Sequence, residues 1–268
     1  MIKPSIGQKA PLFSVSEWVQ GEPTNFNQLT GKVVLLEVFQ VNCPGCFLYA
    51  LPQAIDLHQR YSSEGLSVLG IATAFEDFDK NTLENLLRLV KTQEVIGETL
   101  YTLNQHGILI DGRLPFSIPF PLAMDYLVKS EIGVSEDKIT AFIEKHIPDF
   151  GQKANTYQEN VRQQVRVYLQ KLEYHAQTFE LFNLKGTPSH ILVDKKGILR
   201  SCTFGSHPDL EKHVQNLLQE SAIFANGVEI IRKFPSLQRL GNQEGEAQKR
   251  GDQERHAAAD AQGLPRTN

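Results

Sequence analysis

The stretch Val41-Asn42-Cys43-Pro44-Gly45-Cys46-Phe47 holds two of the chain's three cysteines. Two thiols at C-x-x-C spacing can clip a metal, form a structural disulfide, or cycle between dithiol and disulfide as a redox centre. The spacing alone leaves all three open, so the flanking sequence has to separate them. Three cysteines in 268 residues are too few for a secreted disulfide framework. In a reducing compartment a close pair is more often catalytic or metal-binding. A metal site would need more ligands than the pair supplies. His175 and His190 are the histidines to weigh, but no second C-x-x-C accompanies them, and no metal is expected.

The elements that must position the pair are legible on both sides of it. Lys32 to Gln40, KVVLLEVFQ, is a nearly continuous apolar run, the pattern of a strand buried on both faces of a parallel sheet. The cysteines begin where that strand ends. From Cys43 the period becomes helical, with Leu48, Leu51, Ile55 and Tyr61 near one stripe and a stop before Glu64-Gly65. A second buried strand, LSVLGIAT, follows at Leu66 to Thr73, completing a right-handed βαβ unit. A cysteine in the first turn of a helix meets unpaired backbone N–H groups and the positive end of the helix dipole. Its thiolate is therefore favoured, and the pKa falls from about 8.5 into a range of roughly 3.5 to 7.5. Cys46 lies one helical turn deeper, placed to attack a mixed disulfide formed at Cys43. This setting favours the redox reading.

Further along, Asn81 can cap a helix carrying Leu83, Leu86, Leu87 and Val90, with Glu84 completing a capping box. A short helix ends near His106-Gly107, and Phe120 to Asp125 reads as a third strand. A polar, helix-prone insertion spans about 126–178, with its periodic stretch from Ser135 to Phe182 broken near Pro148 to Gly151. Its stripes, Ile139, Phe142 and Ile143 and later Val161, Val165, Leu169 and Leu172, must be buried somewhere, and a lid over the cysteine pair is one use for them. Ser189 to Asp194 and Ile198 to Phe204 form a hairpin through Asp194–Gly197, and Pro208 opens a closing helix with Leu210, Val214, Leu217 and Leu218. Residues 221–240 form a C-terminal extension with amphipathic character. The tail at 241–268 has almost nothing to bury and is expected to be disordered. Cys202 reads as a small buried hydrophobe. With residues 1–220 as the main domain, net charge −4 and pI near 6.1, neither nucleic acid nor membrane is expected as a partner. The N-terminus has no signal-peptide core, so the expected location is cytoplasmic.

Four segments resemble the thioredoxin superfamily, and within it the TlpA-like thiol-disulfide oxidoreductases. They are GQKAPLFSV with LTGKVVLLEVF joined by NFNQL, then CPGC, then LSVLGIAT, then GTPSHILVDKKGILRS. The resemblance covers about residues 5–125 and 179–219. It implies an α/β thioredoxin-like fold, a mixed central sheet flanked by helices, entered by an N-terminal hairpin. It makes Cys43 the nucleophile and Cys46 the resolving thiol. Pro188 would be the cis-proline beside the pair, and Thr187 would offer its backbone to a bound substrate strand. Glu37 would be a buried acid with a raised pKa that takes the proton from Cys46. No cofactor is implied. Partners would be protein or small-molecule disulfides and thiols, with an electron donor of unspecified identity.

Two positions depart from the family pattern. Asn42 replaces the usual aromatic before the first cysteine, implying a smaller, more polar lip. Pro52 falls six residues after Cys46 instead of five. A related peroxidase is the first rival, but it needs a proline and a hydroxyl residue seven and three positions before its reactive cysteine. Leu36 and Gln40 stand there relative to Cys43, and Phe39 and Cys43 relative to Cys46. The second rival is an interaction module whose cysteines only sense redox state.

Overall fold

Seven consecutive residues, Val33–Phe39, are buried on both faces and form β2, an inner strand of the central sheet. The computed structural model describes residues 4–130, 134–171 and 174–220. The expected extension at 221–240 and tail at 241–268 lie outside the described residues. β2 runs parallel to β3 (Leu66–Ala72) in the register Val33↔Leu66 to Phe39↔Ala72. On its other side it is antiparallel to β7 (Ser189–Val193). With β1 (Val15–Gln20), β4 (Leu122–Asp125) and β8 (Leu199–Phe204), the strand order is β1-β4-β3-β2-β7-β8. A βαβ unit paired to a β-hairpin in one mixed sheet, flanked by helices, is the thioredoxin-like fold.

Alternation along β2 divides the core. Val33, Leu35 and Phe39 pack with Cys46, Phe47, Leu51 and, from the closing helix α7 (Leu210–Gln219), Leu210, Val214 and Leu217. Val34, Leu36 and Val38 pack on the opposite face with Phe13, Phe26 and Phe182. Glu37 shares the first face, the one that covers the cysteine helix.

The expected N-terminal hairpin is not formed. The lead-in instead pairs with the start of β8, where Gly7 N–H donates to Leu199 O at 2.8 Å and Ala10 N–H to Gly197 O at 2.9 Å. The chain then crosses to the far edge, where β1 is antiparallel to β4. Gln20 fixes that crossing by donating its amide to the Ile118 and Phe120 carbonyls, both at 2.7 Å.

The helix after the cysteines is α1 (Leu51–Tyr61), preceded by a π-helical turn, Cys46–Ala50. α2 (Leu83–Thr92) is capped by Thr82, whose hydroxyl accepts from Asn85 N–H at 3.2 Å. The expected cap, Asn81, is one residue early and buried in other work. α3 (Gly97–Gln105) follows. Pro208 precedes α7 and its N-cap Asp209, so it lies outside the first turn expected for it.

The insertion is not purely helical. It leaves and re-enters the sheet region through an antiparallel pair, β5 (Leu127–Lys129) and β6 (Tyr174–Ala176). Between them stand α4 (Glu136–His146) and α5 (Asn155–Lys171), and the short α6 (Gln177–Leu181) follows. Ile139, Ile143, Phe150 and Val165 are buried in a cluster of their own, with Phe142, Val161 and Leu169 against it. The apolar stripes of the insertion are therefore buried on each other, apart from Leu172, which lies outside the described residues. Its root meets the loop after β3, where Phe75 stacks on Phe179 at 4.5 Å and Phe78 packs on Tyr174 at 5.3 Å.

Candidate active site

Cys43 ends the loop after β2, and the helical turn starting at Pro44 places it in the N-cap position. Cys46 N–H points back at it, 3.0 Å from Cys43 O and 3.3 Å from Cys43 Sγ. An N–H aimed at sulfur stabilises negative charge there, which is the electrostatic setting of a reactive thiolate. The two cysteines are joined as a disulfide with their Cα atoms 5.4 Å apart. Cys43 is partly exposed, whereas Cys46 is fully buried.

Pro52 stands one residue later than the family pattern because the π-turn takes up the extra residue. Leu51 N–H reaches Cys46 O, a bond one residue wider than in an α-helix. The helix regains its ordinary period at Leu51, and the cysteine turn before it is undisturbed.

Thr187 and Pro188 come to the pair from 144 residues away. The Thr187–Pro188 peptide is cis. Cys43 Sγ lies 3.7 Å from the Thr187 carbonyl. A Cβ at Gly45 would stand 3.9 Å from the Pro188 ring, in ordinary contact. Gln40 was not expected here. It is buried, accepts from the Thr187 hydroxyl at 3.3 Å and donates to Glu76 O at 3.4 Å. It thus ties the proline segment to the end of β2.

Asn42 is turned inward instead of onto a lip. Its Nδ2 donates to Asp77 Oδ2 at 2.7 Å, its Oδ1 accepts from Glu98 N–H at 2.8 Å, and its backbone N–H donates to Asn81 Oδ1 at 2.9 Å. It locks the cysteine loop to the start of α3 and to the loop that meets the insertion. Asn81 is spent on this lock, which leaves the cap of α2 to Thr82.

Glu37 is fully buried and stands opposite His190 in the β2–β7 register. His190 Nδ1 lies 2.7 Å from Glu37 Oε2, and His190 Nε2 lies 2.9 Å from the Gly205 carbonyl. Glu37 Oε1 has no partner among the described residues. Burial pushes the Glu37 carboxyl above its ordinary value, with His190 pulling the other way. Burial works against charge on His190, but the hydrogen bond and charge of Glu37 outweigh it, and the His190 pKa is also raised. The sequence held a signal for this pair: Glu37 and His190 are the ionisable residues inside two otherwise apolar neighbouring strands. It does not give the register that sets them face to face.

Cys202 pairs with Ile191 on the other face of the sheet, and burial pushes its thiol up to about 11. Among the described residues no group of three or more His, Cys, Asp or Glu side chains converges as a metal site, and no helix is long and apolar enough to cross a membrane.

A thioredoxin-like sheet carrying a disulfide-forming C-x-x-C pair at a helix start, beside a cis-proline, defines a redoxin-type protein of the thioredoxin superfamily. The chain belongs to the AhpC/TSA family, whose profile matches residues 6–202. Protein DipZ of Mycobacterium bovis is 30% identical over 79 residues, which cover 28% of this chain and 11% of that protein. The chain thus matches only a small part of the length of its curated relatives. Among solved structures, a thiol-disulfide isomerase from Corynebacterium glutamicum is similar at 27% identity and a TM-score of 0.48, covering 80% of this chain and 98% of its own. A thioredoxin-like superfamily protein, SPOA0173, gives 22% identity and a TM-score of 0.48, covering 80% of this chain and 99% of its own.

Proposed function

We propose that the protein exchanges disulfides with protein or small-thiol partners, in the manner of TlpA-like enzymes, by cycling the Cys43–Cys46 pair. The observation that carries this reading is the asymmetry within the pair. Cys43 has solvent access and an N–H aimed at its sulfur, while Cys46 is buried and, among the described residues, no N–H is aimed at its sulfur. In the reductive direction the Cys43 thiolate attacks a substrate disulfide and releases one substrate thiolate. Cys46 then loses its proton and attacks Cys43 Sγ, which forms the intramolecular disulfide and releases the second substrate thiolate. Two electrons pass to the substrate, and a thiol donor restores the dithiol. Thr187 and Pro188 line the approach to Cys43 Sγ, and the Thr187 backbone would pair with an extended substrate segment.

A peroxidase would also have to polarise an O–O bond, which calls for donors around the thiolate. Gln40 stands where the hydroxyl residue would be, and its amide is held by Thr187 and Glu76. The reduced protein should therefore reduce the disulfides of insulin, with the rate lost in Cys43→Ser. Its oxidation by hydrogen peroxide in stopped flow should stay near that of a free thiol of low pKa. Peroxide oxidation orders of magnitude faster, without turnover on insulin, would reverse the reading.

A further inference from the structure

The hydrogen bonding of His190 fixes how many protons it carries. The Gly205 carbonyl can only accept, so His190 Nε2 bears a hydrogen. The 2.7 Å contact between Nδ1 and Glu37 Oε2 must then hold one proton, owned by either the imidazole or the carboxyl. If Glu37 owns it, the carboxyl is already protonated and is a poor base. If His190 owns it, Glu37 is a carboxylate with Oε1 unused. Oε1 is buried and has no partner among the described residues, and Glu37 shares its face of β2 with Leu35 and Phe39, which pack with Cys46. Reduction of the pair supplies a new donor in that layer, the Cys46 thiol.

We propose that His190 is a positioning residue that keeps the Glu37–His190 proton on the imidazole, so that Glu37 stands ionised to take the proton of Cys46. This rests on the exchange reaction proposed above. In the resolving step the Cys46 S–H bond breaks and its proton passes to Glu37 Oε1. The Cys46 thiolate forms the bond to Cys43 Sγ, and the Cys43–substrate S–S bond breaks with its electron pair leaving on the substrate sulfur. The pair ends with one proton more than it began, balancing the charge that leaves with the substrate thiolate.

The other groups facing the pair are few. Thr203, opposite His190 on β8, has a buried hydroxyl without a partner among the described residues. His207, in the loop before α7, has its ring 6.1 Å from that of His190, and the exposed His213 on α7 lies 5.1 Å beyond it. Asp209 adds a negative charge near His207.

The test follows a mixed disulfide between Cys43 and a small aromatic disulfide by rapid mixing across pH, in the parent, His190→Asn, Glu37→Gln and the double variant. Asparagine keeps a donor near the Nδ1 position but cannot hold the extra proton. In His190→Asn the first attack should keep its rate, while resolution slows about a hundredfold at neutral pH and its inflection moves to higher pH. The double variant should be no slower than Glu37→Gln. A His190→Asn profile that overlays the parent, or a double variant slowed by the product of the two singles, overturns the proposal. Nitrogen-15 NMR of the reduced parent gives a second reading that needs no variant to fold. Both His190 nitrogens should carry protons at neutral pH, and a bare Nδ1 overturns the proposal. If no mixed disulfide forms in the parent, the exchange reaction itself fails, and the NMR result still decides where the proton sits.

Discussion

Two buried carboxyls in the same sheet, on strands separated by β3, have opposite surroundings. Asp125, at the end of β4, has both oxygens filled. Its Oδ1 accepts from Tyr126 N–H and Thr178 N–H, each at 2.9 Å, and its Oδ2 accepts from the Thr73 hydroxyl at 2.7 Å and Phe179 N–H at 3.3 Å. Glu37, on β2, has one oxygen on His190 and the other on nothing described. Burial raises both pKa values, and at Asp125 the donors of Thr178, Thr73 and Phe179 pull back. A saturated carboxyl of this kind is a pin: it ties the return of the insertion, at Thr178 and Phe179, to the sheet. A half-saturated one costs stability and keeps a site for a proton. Buried charge near a cysteine pair is therefore informative only once its hydrogen bonds are counted.

The largest expected effect comes from breaking the pin. Asp125→Ala strands three N–H groups and a buried hydroxyl, and urea unfolding should show a loss of about 3 kcal/mol or more. Insulin reduction per folded molecule should be little changed. Glu37→Gln should do the reverse. Its amide can still donate to His190, so stability should move by about 1 kcal/mol or less, while resolution of the mixed disulfide slows about a hundredfold. A large stability loss in Glu37→Gln, or a selective rate loss in Asp125→Ala, would break the comparison.

A smaller effect is expected in the pH dependence of stability. Glu37 and His190 both hold protons more tightly folded than unfolded, so their stabilising contribution is full below the ordinary values of 4.5 and 6.5. It is lost as pH rises through the raised folded values. Between mildly acidic and mildly alkaline pH, the parent should lose more stability than the Glu37→Gln/His190→Asn variant, measured by urea midpoints. Equal slopes would remove the pair from the account. The smallest effect concerns the third thiol: iodoacetamide at neutral pH should label Cys43 of the reduced protein well before Cys202, whose thiol is pushed up to about 11.

The parts of the molecule that were legible in the sequence are those whose cause is local. The buried run of β2, the helical period after Cys43 and the Asp194–Gly197 turn each carry their own pattern. What was not legible depends on partners far along the chain. Asn42 turns inward because Asp77, Asn81 and Glu98 meet it, and nothing adjacent to Asn42 announces that. Glu37 was identified as a buried acid, but its partner lies 153 residues away, and the pairing follows from strand register. The hairpin expected at the N-terminus failed because Gly7 finds β8, Ala10 finds the turn before it and β1 finds β4, choices that local turn chemistry does not make. β5 and β6 are only three residues each, too short for an alternation to stand out against a helical background. At the cap of α2 two residues of suitable type, Asn81 and Thr82, are adjacent. The competing use of Asn81 by Asn42 decides between them.

The central claim is that Cys43 attacks and Cys46 resolves. A Cys46→Ser variant, reduced and mixed with a protein disulfide under non-reducing conditions, removes the resolving thiol and should halt the cycle at its intermediate. Peptide mass mapping of the trapped adduct should find the substrate joined to Cys43. An adduct at Cys202, or free Cys43 beside unreacted substrate, would contradict the account.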